Sequence, residues 1–293
     1  MKRIIITVMT VTLFSLYASA QHEYSVYGSG GFAPLSYKLS SGDGSGRMGG
    51  DIGVGYTYFF RPLEVIMKSG MIYRSEWAVY SGAGLSFYNA KAKLNDLTAV
   101  SKGLDDGTGE YSNFDMYTTL SGYNETQSAL FLNIPVMAQF HMEQYYAAAG
   151  LKAAIPLSGK YKPKDAKLTN KAYYPDLNNW LEDGNWRGLG EFKGKNAKGD
   201  LDLGFTVMLA LEAGMKWRIY SNILVYTGVY FDMGLNNSLK KSDNKFVNYT
   251  NGSPENFTTN SVLHSYSEKD NKMCDKARIM SVGVKVRFAL KPL

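Results

Sequence analysis

The stretch from Leu201 to Trp217, LDLGFTVMLALEAGMKW, sorts its side chains by parity. The odd positions are apolar throughout, whereas the even positions are mostly small, polar or charged and include Asp202, Glu212 and Lys216. A period of two is the repeat of a β-strand, because alternate side chains of a strand point to opposite faces. The stretch therefore predicts a strand with one apolar and one polar face. It leaves open which face meets the interior.

Seven further segments alternate in the same way, which brings the number of predicted strands to eight. They are Tyr24 to Phe32, Gly50 to Phe60, Trp77 to Ala90, Leu130 to His141, Tyr145 to Ser158, Ile223 to Asn236 and Met280 to Phe288. We expect an all-β chain, with the apolar set of each strand on one side of a sheet.

The connections between these strands differ in length in a regular way. Short links lie near residues 142–144 and 218–221, and a somewhat longer one covers 61–74. Long polar links cover 34–48, 91–127, 159–199 and 239–277. A soluble sandwich has no reason to sort its loops by length, whereas transmembrane barrels combine an even strand number with short periplasmic turns and long extracellular loops.

The N-terminus predicts export. Lys2 and Arg3 precede an apolar run, and Ala18-Ser19-Ala20 supplies the small residues of a cleavage site. This pattern is typical of a Sec signal peptide over residues 1–20, with the mature barrel domain over 21–293. No later apolar run is long enough for a transmembrane helix, and the single cysteine, Cys274, permits no intramolecular disulfide.

Lipid explains why the two faces of each strand differ. A sheet that spans a bilayer must close on itself, so its apolar face meets lipid and its polar face lines the interior. We therefore predict an eight-stranded antiparallel up-and-down barrel whose lumen is plugged by a polar network. Its members are Asp51, Lys152, Asp202, Glu212, Lys216, Asp232, Lys285 and Arg287. Since buried charges must pair, Lys152 on the preceding strand is the first expected partner of Glu212, followed by Lys285 or Arg287.

The chain resembles the small outer-membrane β-barrel proteins. It is similar to the transmembrane domain of outer-membrane protein A, and most of all to the barrel-domain proteins of Bacteroidetes-type bacteria. The motifs that carry this likeness are Leu130-Phe131-Leu132-Asn133-Ile134-Pro135, Gly150-Leu151-Lys152 followed by Ile155-Pro156-Leu157, Val229 to Asn237 and the closing strand Val282 to Phe288. The resemblance covers the mature chain and implies the bacterial outer membrane, its lipid and lipopolysaccharide, and the barrel assembly machinery as surroundings and partners.

Three classes of function follow from this architecture. The first is a structural or surface-binding barrel with a static plug, and the second is a narrow channel or transport accessory gated by rearranging salt bridges. The third is a lipid-modifying enzyme, for which His264 with Ser261 or Ser265 and with Glu268 is the candidate group. The static plug and a non-enzymatic role are the favoured interpretation.

The long loops hold the remaining candidates. Tyr173, Tyr174, Trp180 and Trp186 lie in the third of them, where aromatic side chains serve as contact anchors or pack the loops together. The sequence shows no metal-ligand spacing and no phosphate-binding or dinucleotide fingerprint, so we expect no cofactor. The net charge of +6 is not clustered, which argues against a nucleic-acid partner.

Overall fold

The computed structural model describes residues 21–66, 72–105, 113–164, 166–184, 188–194, 198–242, 244–250, 253–268 and 271–292. The predicted signal peptide over residues 1–20 lies outside this part of the chain. The described chain is built of β-strands, and its one helical segment is a single 3-10 turn, Pro175–Leu177. Among the described residues, no helix is long and apolar enough to cross a membrane.

Eight long strands form an antiparallel ring, as the sequence predicts. They are β1 (His22–Phe32), β2 (Met48–Phe59), β3 (Ile72–Lys93), β4 (Asn124–Met142), β5 (Tyr145–Lys164), β6 (Thr206–Arg218), β7 (Ile223–Gly234) and β8 (Cys274–Leu290). Each strand pairs with the next along the chain, and β1 also pairs with β8, with Val26 opposite Phe288. The pairing of β1 with β8 joins the first and last strands of the antiparallel sheet into the ring.

The connections sort by length onto the two ends of the ring. The links at 143–144 and 219–222 and the longer link at 60–71 lie at one end, here called the turn end. The links at 33–47, 94–123, 165–205 and 235–273 lie at the other, the loop end. The predicted alternation of short and long connections is confirmed.

The burial of alternate side chains shows which face of each ring strand is interior. In β6 the side chains of Met208, Ala210 and Glu212 are buried, whereas Leu211 is 41% exposed. The charged set therefore points inward and the apolar set outward. The same outward exposure recurs around the ring at Val26, Ile52, Val54, Val79, Leu85, Val136, Leu151, Val229, Val282, Val284 and Phe288.

Four strands, β3, β4, β5 and β8, extend several residues further toward the loop end than predicted, and the prediction stopped short because the polarity of their two faces reverses part of the way along. In β3 the outward side chains from Trp77 to Phe87 are apolar except for Ser81, and the next ones are Asn89, Lys91 and Lys93. The inward ones change in the opposite sense, from polar Ser86 to a buried apolar run that begins at Tyr88. We call the two parts of the ring the turn half and the loop half.

The loop half encloses an apolar core. Its members come from β3 to β6 and β8 and from segments of the long connections: Leu35, Tyr88, Leu120, Tyr123, Phe131, Leu168, Phe192, Met208, Phe246, Phe257, Val262, Leu263, Met273 and Ile279. The long connections are thus not plain polar loops. Part of their length forms strands that extend or cover the ring.

The largest of these additions is a separate five-stranded sheet. Its strands are Leu97–Asp105, Asn113–Ser121, Lys167–Tyr174, Asn179–Leu181 and Gly190–Lys193. The segments Leu35–Leu39, Asp43–Gly46, Leu63–Ile66 and Gly199–Asp200 pair with ring strands. The rest form two small sheets: Asn244–Lys245, Ser265–Glu268 and Asn271–Lys272 in one, and Val247–Thr250 with Ser253–Thr259 in the other.

Candidate functional site: the lumen and the loop-end mouth

One buried ion pair lies in the part of the lumen nearest the loop half. Lys152 Nζ is 2.7 Å from Asp232 Oδ2 and 4.0 Å from Asp51 Oδ2. The Ser281 hydroxyl also donates a hydrogen bond to Asp232 Oδ2, at 3.2 Å. These three charged residues are all predicted lumen residues, and the structure brings them together.

A second buried pair joins Glu212 to Lys285. Lys285 Nζ is 2.8 Å from Glu212 Oε2, and the Tyr146 hydroxyl donates to Glu212 Oε1 at 2.8 Å. The lysine ammonium also lies 4.3 Å from the centre of the Tyr27 ring. A carboxylate that accepts from both an ammonium and a phenol has each of its oxygens satisfied, which is what burial of a charge requires.

The expected first-choice pairing of Glu212 with Lys152 is wrong. In the β5–β6 register Lys152 lies opposite Met208, while Ala148 lies opposite Glu212. The two charges are therefore offset by four residues, or roughly 13 Å of strand. Lys285, which was only the second expectation, lies on β8, and its side chain reaches Glu212 across the intervening strand β7.

Arg287 is buried against aromatic rings. Its side chain is 1% exposed, and its guanidinium carbon lies 4.2 Å from the centre of the Tyr226 ring, 4.9 Å from Tyr80 and 5.5 Å from Tyr146. Among the described residues, none of its guanidinium nitrogens has a hydrogen-bond partner. Its closest described contacts are thus cation–π contacts with these rings.

Tyrosine rings cross the lumen where the ring wall carries glycine. A Cβ added at Gly228 would lie 2.7 Å from the Tyr146 hydroxyl oxygen, and one at Gly55 would lie 2.5 Å from the edge of the Tyr80 ring. Small inward positions therefore leave the space that the large inward side chains fill. With the buried Met137, these rings obstruct the lumen in the turn half.

Two predicted lumen residues, Asp202 and Lys216, are not part of the buried ion-pair network. Asp202 precedes β6 and is exposed, so its place in the network is wrong. The alternation of Leu201 to Trp217 continues past the point where the ring strand begins, at Thr206. Lys216 does face inward, but it is only partly buried and lines a cavity at the turn end.

At the loop end a segment of the last long connection closes the mouth of the ring. Ser261, Val262, Leu263, His264 and Ser265 are each at most 7% exposed. We call residues 261–265 the mouth segment. Because two of its members belong to the apolar core, it is packed into the loop half and does not lie across the surface.

The mouth segment is held by a buried carboxylate that sequence reasoning missed. Glu125 on β4 accepts four hydrogen bonds: from the hydroxyls of Ser261 and Tyr123, both at 2.6 Å, from Gln127 Nε2 at 2.8 Å and from the Val262 backbone N–H at 3.0 Å. Burial raises the pKa of Glu125, and the four donors oppose that rise. Its only sequence signal is an acidic residue at an inward parity position beyond the predicted end of the strand.

The candidate catalytic group does not assemble as a hydrogen-bonded dyad. The Ser261 hydroxyl donates to Glu125, and the Ser265 hydroxyl donates to the Ser261 backbone carbonyl at 2.6 Å. His264 is buried, and this burial lowers the pKa of its imidazole. The side chain of Glu268 lies outside the described part of the chain.

The aromatic loop candidates lie on the five-stranded sheet and next to it. Trp180 packs between two tyrosines, with ring centres 4.9 Å from both Tyr117 and Tyr173. Tyr174 packs against Phe114 at 5.5 Å. Trp180 is nonetheless 45% exposed, so this cluster both stabilises the sheet and presents a surface. Trp186 lies outside the described residues.

No group of three or more histidine, cysteine or acidic residues that could hold a metal ion occurs in the described part of the chain. No known family model matches the chain, and no curated protein matches it. What can be inferred about function therefore comes from the lumen, the outward face of the ring and the loop-end sheet.

Proposed function

We propose that this chain is an integral β-barrel protein of the bacterial outer membrane with a structural or surface-binding role. The observation that carries the proposal is the outward face of the turn half. A soluble protein rarely exposes a continuous apolar surface of this extent. Here Val54 and Val284 are 57% and 63% exposed, and similar residues follow on each ring strand.

The edges of this apolar band support a lipid surrounding. On β4 the outward residues are apolar from Leu130 to Met142 and polar at Asn124, Thr126 and Ser128. Thirteen residues of a tilted strand exceed the 9–11 or so that cross a bilayer. Near the turn end, exposed aromatic side chains at Tyr24, Phe60, Trp77, Tyr145, Trp217 and Phe288 match an interfacial girdle.

The obstructed lumen favours a static plug. Two ion pairs and the tyrosines around Arg287 fill the turn half, and an apolar core fills the loop half. A narrow channel remains the second candidate, because the charged lumen could pass small ions if the pairs rearranged. Conductance in planar bilayers separates the two, since a static plug predicts no discrete channel openings.

The surface-binding part of the role belongs to the loop end. The exposed ring of Trp180, with Tyr117 and Tyr173 beside it, is the candidate contact surface. In this proposal it faces the cell exterior, while outer-membrane lipid and lipopolysaccharide surround the ring and the barrel assembly machinery inserts it. No observation favours the lipid-modifying enzyme, because both candidate serine hydroxyls are engaged elsewhere.

The proposal is tested by reconstitution. Purified residues 21–293 should fold into lipid vesicles and remain in the membrane pellet after carbonate extraction. A protein that folds to the same β-rich state in detergent-free buffer and stays monomeric would contradict it.

Orientation is tested separately by cysteine labelling of intact cells. Cys274 is buried, and burial raises the pKa of its thiol to about 12, so it should not react in the folded protein. Lys171→Cys on the loop-end sheet should react with a membrane-impermeant maleimide, and Glu143→Cys at the turn end should react only after the outer membrane is permeabilised. The reverse pattern would mean an inverted topology.

A further inference from the structure

The turn end of the ring holds a cavity of about 390 Å³. This volume lies within the range of small-molecule sites. Aromatic and aliphatic side chains form its floor, including Phe59, Leu224, Tyr226 and the imidazole of His141. The rings of Phe59 and His141 lie 5.1 Å apart, and each of these four side chains is at most 6% exposed, so the floor is a closely packed layer of aromatic and aliphatic groups.

Four cationic side chains line this cavity: Arg74, Lys216, Arg218 and Lys291. Arg74 is paired, because its Nε lies 3.4 Å from Glu76 Oε1. The other three have no ion pair with a carboxylate among the described residues. The cavity therefore combines an apolar floor with unpaired positive charge.

The three carboxylates of the lining have other partners. Glu76 pairs with Arg74, and Glu143 Oε1 accepts a hydrogen bond from the Arg74 backbone N–H at 3.3 Å. Glu23 Oε2 accepts from the Tyr226 hydroxyl at 2.8 Å. Glu23 Oε1 has no hydrogen-bond partner among the described residues. Four cationic side chains and three carboxylates thus line the cavity, an excess of one positive charge, and the carboxylates form no ion pair with Lys216, Arg218 or Lys291 among the described residues.

The wall itself is held by its turns. Glu143 adopts a left-handed conformation with φ of 54°, which is uncommon for a residue other than glycine. Its carboxylate contact to Arg74 and the bond from the Lys216 backbone N–H to the Gln144 carbonyl, at 2.7 Å, fix this turn against both neighbouring strands. Lys291 Nζ lies 5.5 Å from the centre of the Phe59 ring, at the edge of the floor.

We infer that this cavity binds a small organic carboxylate with an apolar body. The carboxylate would meet Lys216, Arg218 and Lys291, and the body would lie on the floor formed by Phe59, Leu224 and Tyr226. An apolar pocket with a few convergent charged groups is the general form of such a site. In the proposed membrane orientation the ligand would enter this cavity from the periplasm, and this point alone rests on the proposed function.

Binding is tested on the wild-type protein folded in zwitterionic detergent. Benzoate, benzamide and inorganic phosphate are titrated at equal ionic strength, and affinity is measured by calorimetry. We expect saturable benzoate binding at least about 10-fold tighter than benzamide, since a charge-assisted hydrogen bond is worth about one to two factors of ten. Phosphate should bind more weakly than benzoate because it cannot use the floor. Equal affinities for benzoate and benzamide, or tighter binding of phosphate, would overturn the inference.

A charge-matched pair of variants locates the site. The double substitution Lys216→Gln and Arg218→Gln should weaken benzoate binding by about 10- to 100-fold. Lys160→Gln with Lys162→Gln removes two exposed cations at the loop half and should leave it unchanged. An equal loss in both variants would mean that benzoate binding depends only on the net charge of the protein, which would contradict the proposal. Because these measurements need no bilayer, failure to bind is distinct from failure to insert into vesicles.

Discussion

The turn half and the loop half of the ring are built on the same strands but solve opposite packing problems. In the turn half the apolar side chains point outward, while ion pairs and tyrosines fill the interior. In the loop half the outward positions of β3 and β4 carry lysine, asparagine, threonine and serine, and the interior is an apolar core. The loop half follows the rule for proteins in water, and the turn half follows the rule for lipid.

This difference teaches that strand pairing alone does not decide the surroundings. The pairing of β3 with β4 continues from one half into the other apart from a gap at Gly82 and Ala83, and the pairing of β4 with β5 continues across a register shift between Pro156 and Ser158. What changes, near Tyr88 on β3 and Ala129 on β4, is which face of the strand is apolar and which is polar. Substitutions that reverse this polarity locally are therefore the sharpest tests of the comparison.

The largest effect is expected from splitting the second ion pair in the turn half. Glu212→Leu leaves the buried Lys285 ammonium unpaired and the Tyr146 hydroxyl without its acceptor. We expect a loss of about 3–5 kcal/mol in the free energy of unfolding, measured by urea titration of the vesicle-folded protein. The double variant Glu212→Leu with Lys285→Met should recover most of this loss. No recovery would mean that the pair is needed for more than charge balance.

A smaller loss is expected from a charge on the outward face of the turn half. Leu211→Lys should lower the unfolding free energy by about 2–4 kcal/mol if the position lies near the bilayer midplane. Ser128→Lys, on the outward face of the loop half, is the matched control and should change stability by less than about 0.5 kcal/mol. Equal effects of the two variants would erase the distinction between the halves.

The loop half is tested at the carboxylate that holds the mouth segment. Glu125→Gln keeps the shape of the side chain, but its amide NH2 cannot accept the hydrogen bonds that the carboxylate oxygen accepts. We therefore expect a loss of about 1–3 kcal/mol in the free energy of unfolding. Limited proteolysis within residues 253–272 should accelerate in this variant, while cleavage at the turn end should not. Uniform acceleration at both ends would indicate that the whole ring is loosened.

The smallest expected effect is a pH dependence at His264. Its folded-state pKa lies below the ordinary 6.5 because the imidazole is buried, so the unfolded chain binds the proton more tightly. The contribution of His264 to the free energy of unfolding is therefore fully present above pH 6.5. It declines as the pH falls below this value, by at most about 1.4 kcal/mol per pH unit. Asp202 lies near the imidazole of His264 and opposes the lowering of its pKa, and Glu125, whose folded-state pKa is raised, has the opposite pH dependence.

The measurement for this prediction is a difference. Stability of the wild type and of His264→Gln is compared between about pH 7 and pH 5, so that the Glu125 contribution cancels. A variant with the same pH profile as the wild type would show that His264 does not titrate in this window.

The sequence predicts the ring well because a strand with two unlike faces imposes a simple alternation on its residues. The parity of eight segments, the number of strands and the two classes of connection follow from residues such as Leu211 and Glu212, whose neighbours alternate without interruption. The inward orientation of Lys152, Asp232, Lys285 and Arg287 follows from the same rule.

The sequence does not predict where along a strand the outward face changes from apolar to polar, or which charged side chains form ion pairs. The strand β4 begins at Asn124, six residues before the predicted Leu130. The prediction missed these residues because their outward side chains are polar. The partner of Glu212 depends on register between strands, which one sequence does not contain. Glu125 was missed because it lies in the part of β4 that was not predicted. Lys285 was only the second expectation for Glu212 because the register was not known.

The continuity of β3, β4 and β5 through both halves has a mechanical consequence. On β4 the residues 124–129 lie beyond the apolar band, which corresponds to roughly 20 Å of strand. A hydrogen-bonded stalk of this kind resists bending far better than a flexible linker of the same length. If the ring stands in a membrane, the five-stranded sheet is held at a fixed height above the lipid headgroups. An antibody or phage tail that approaches the cell would then meet the aromatic face of Trp180 at a stand-off set by strand length.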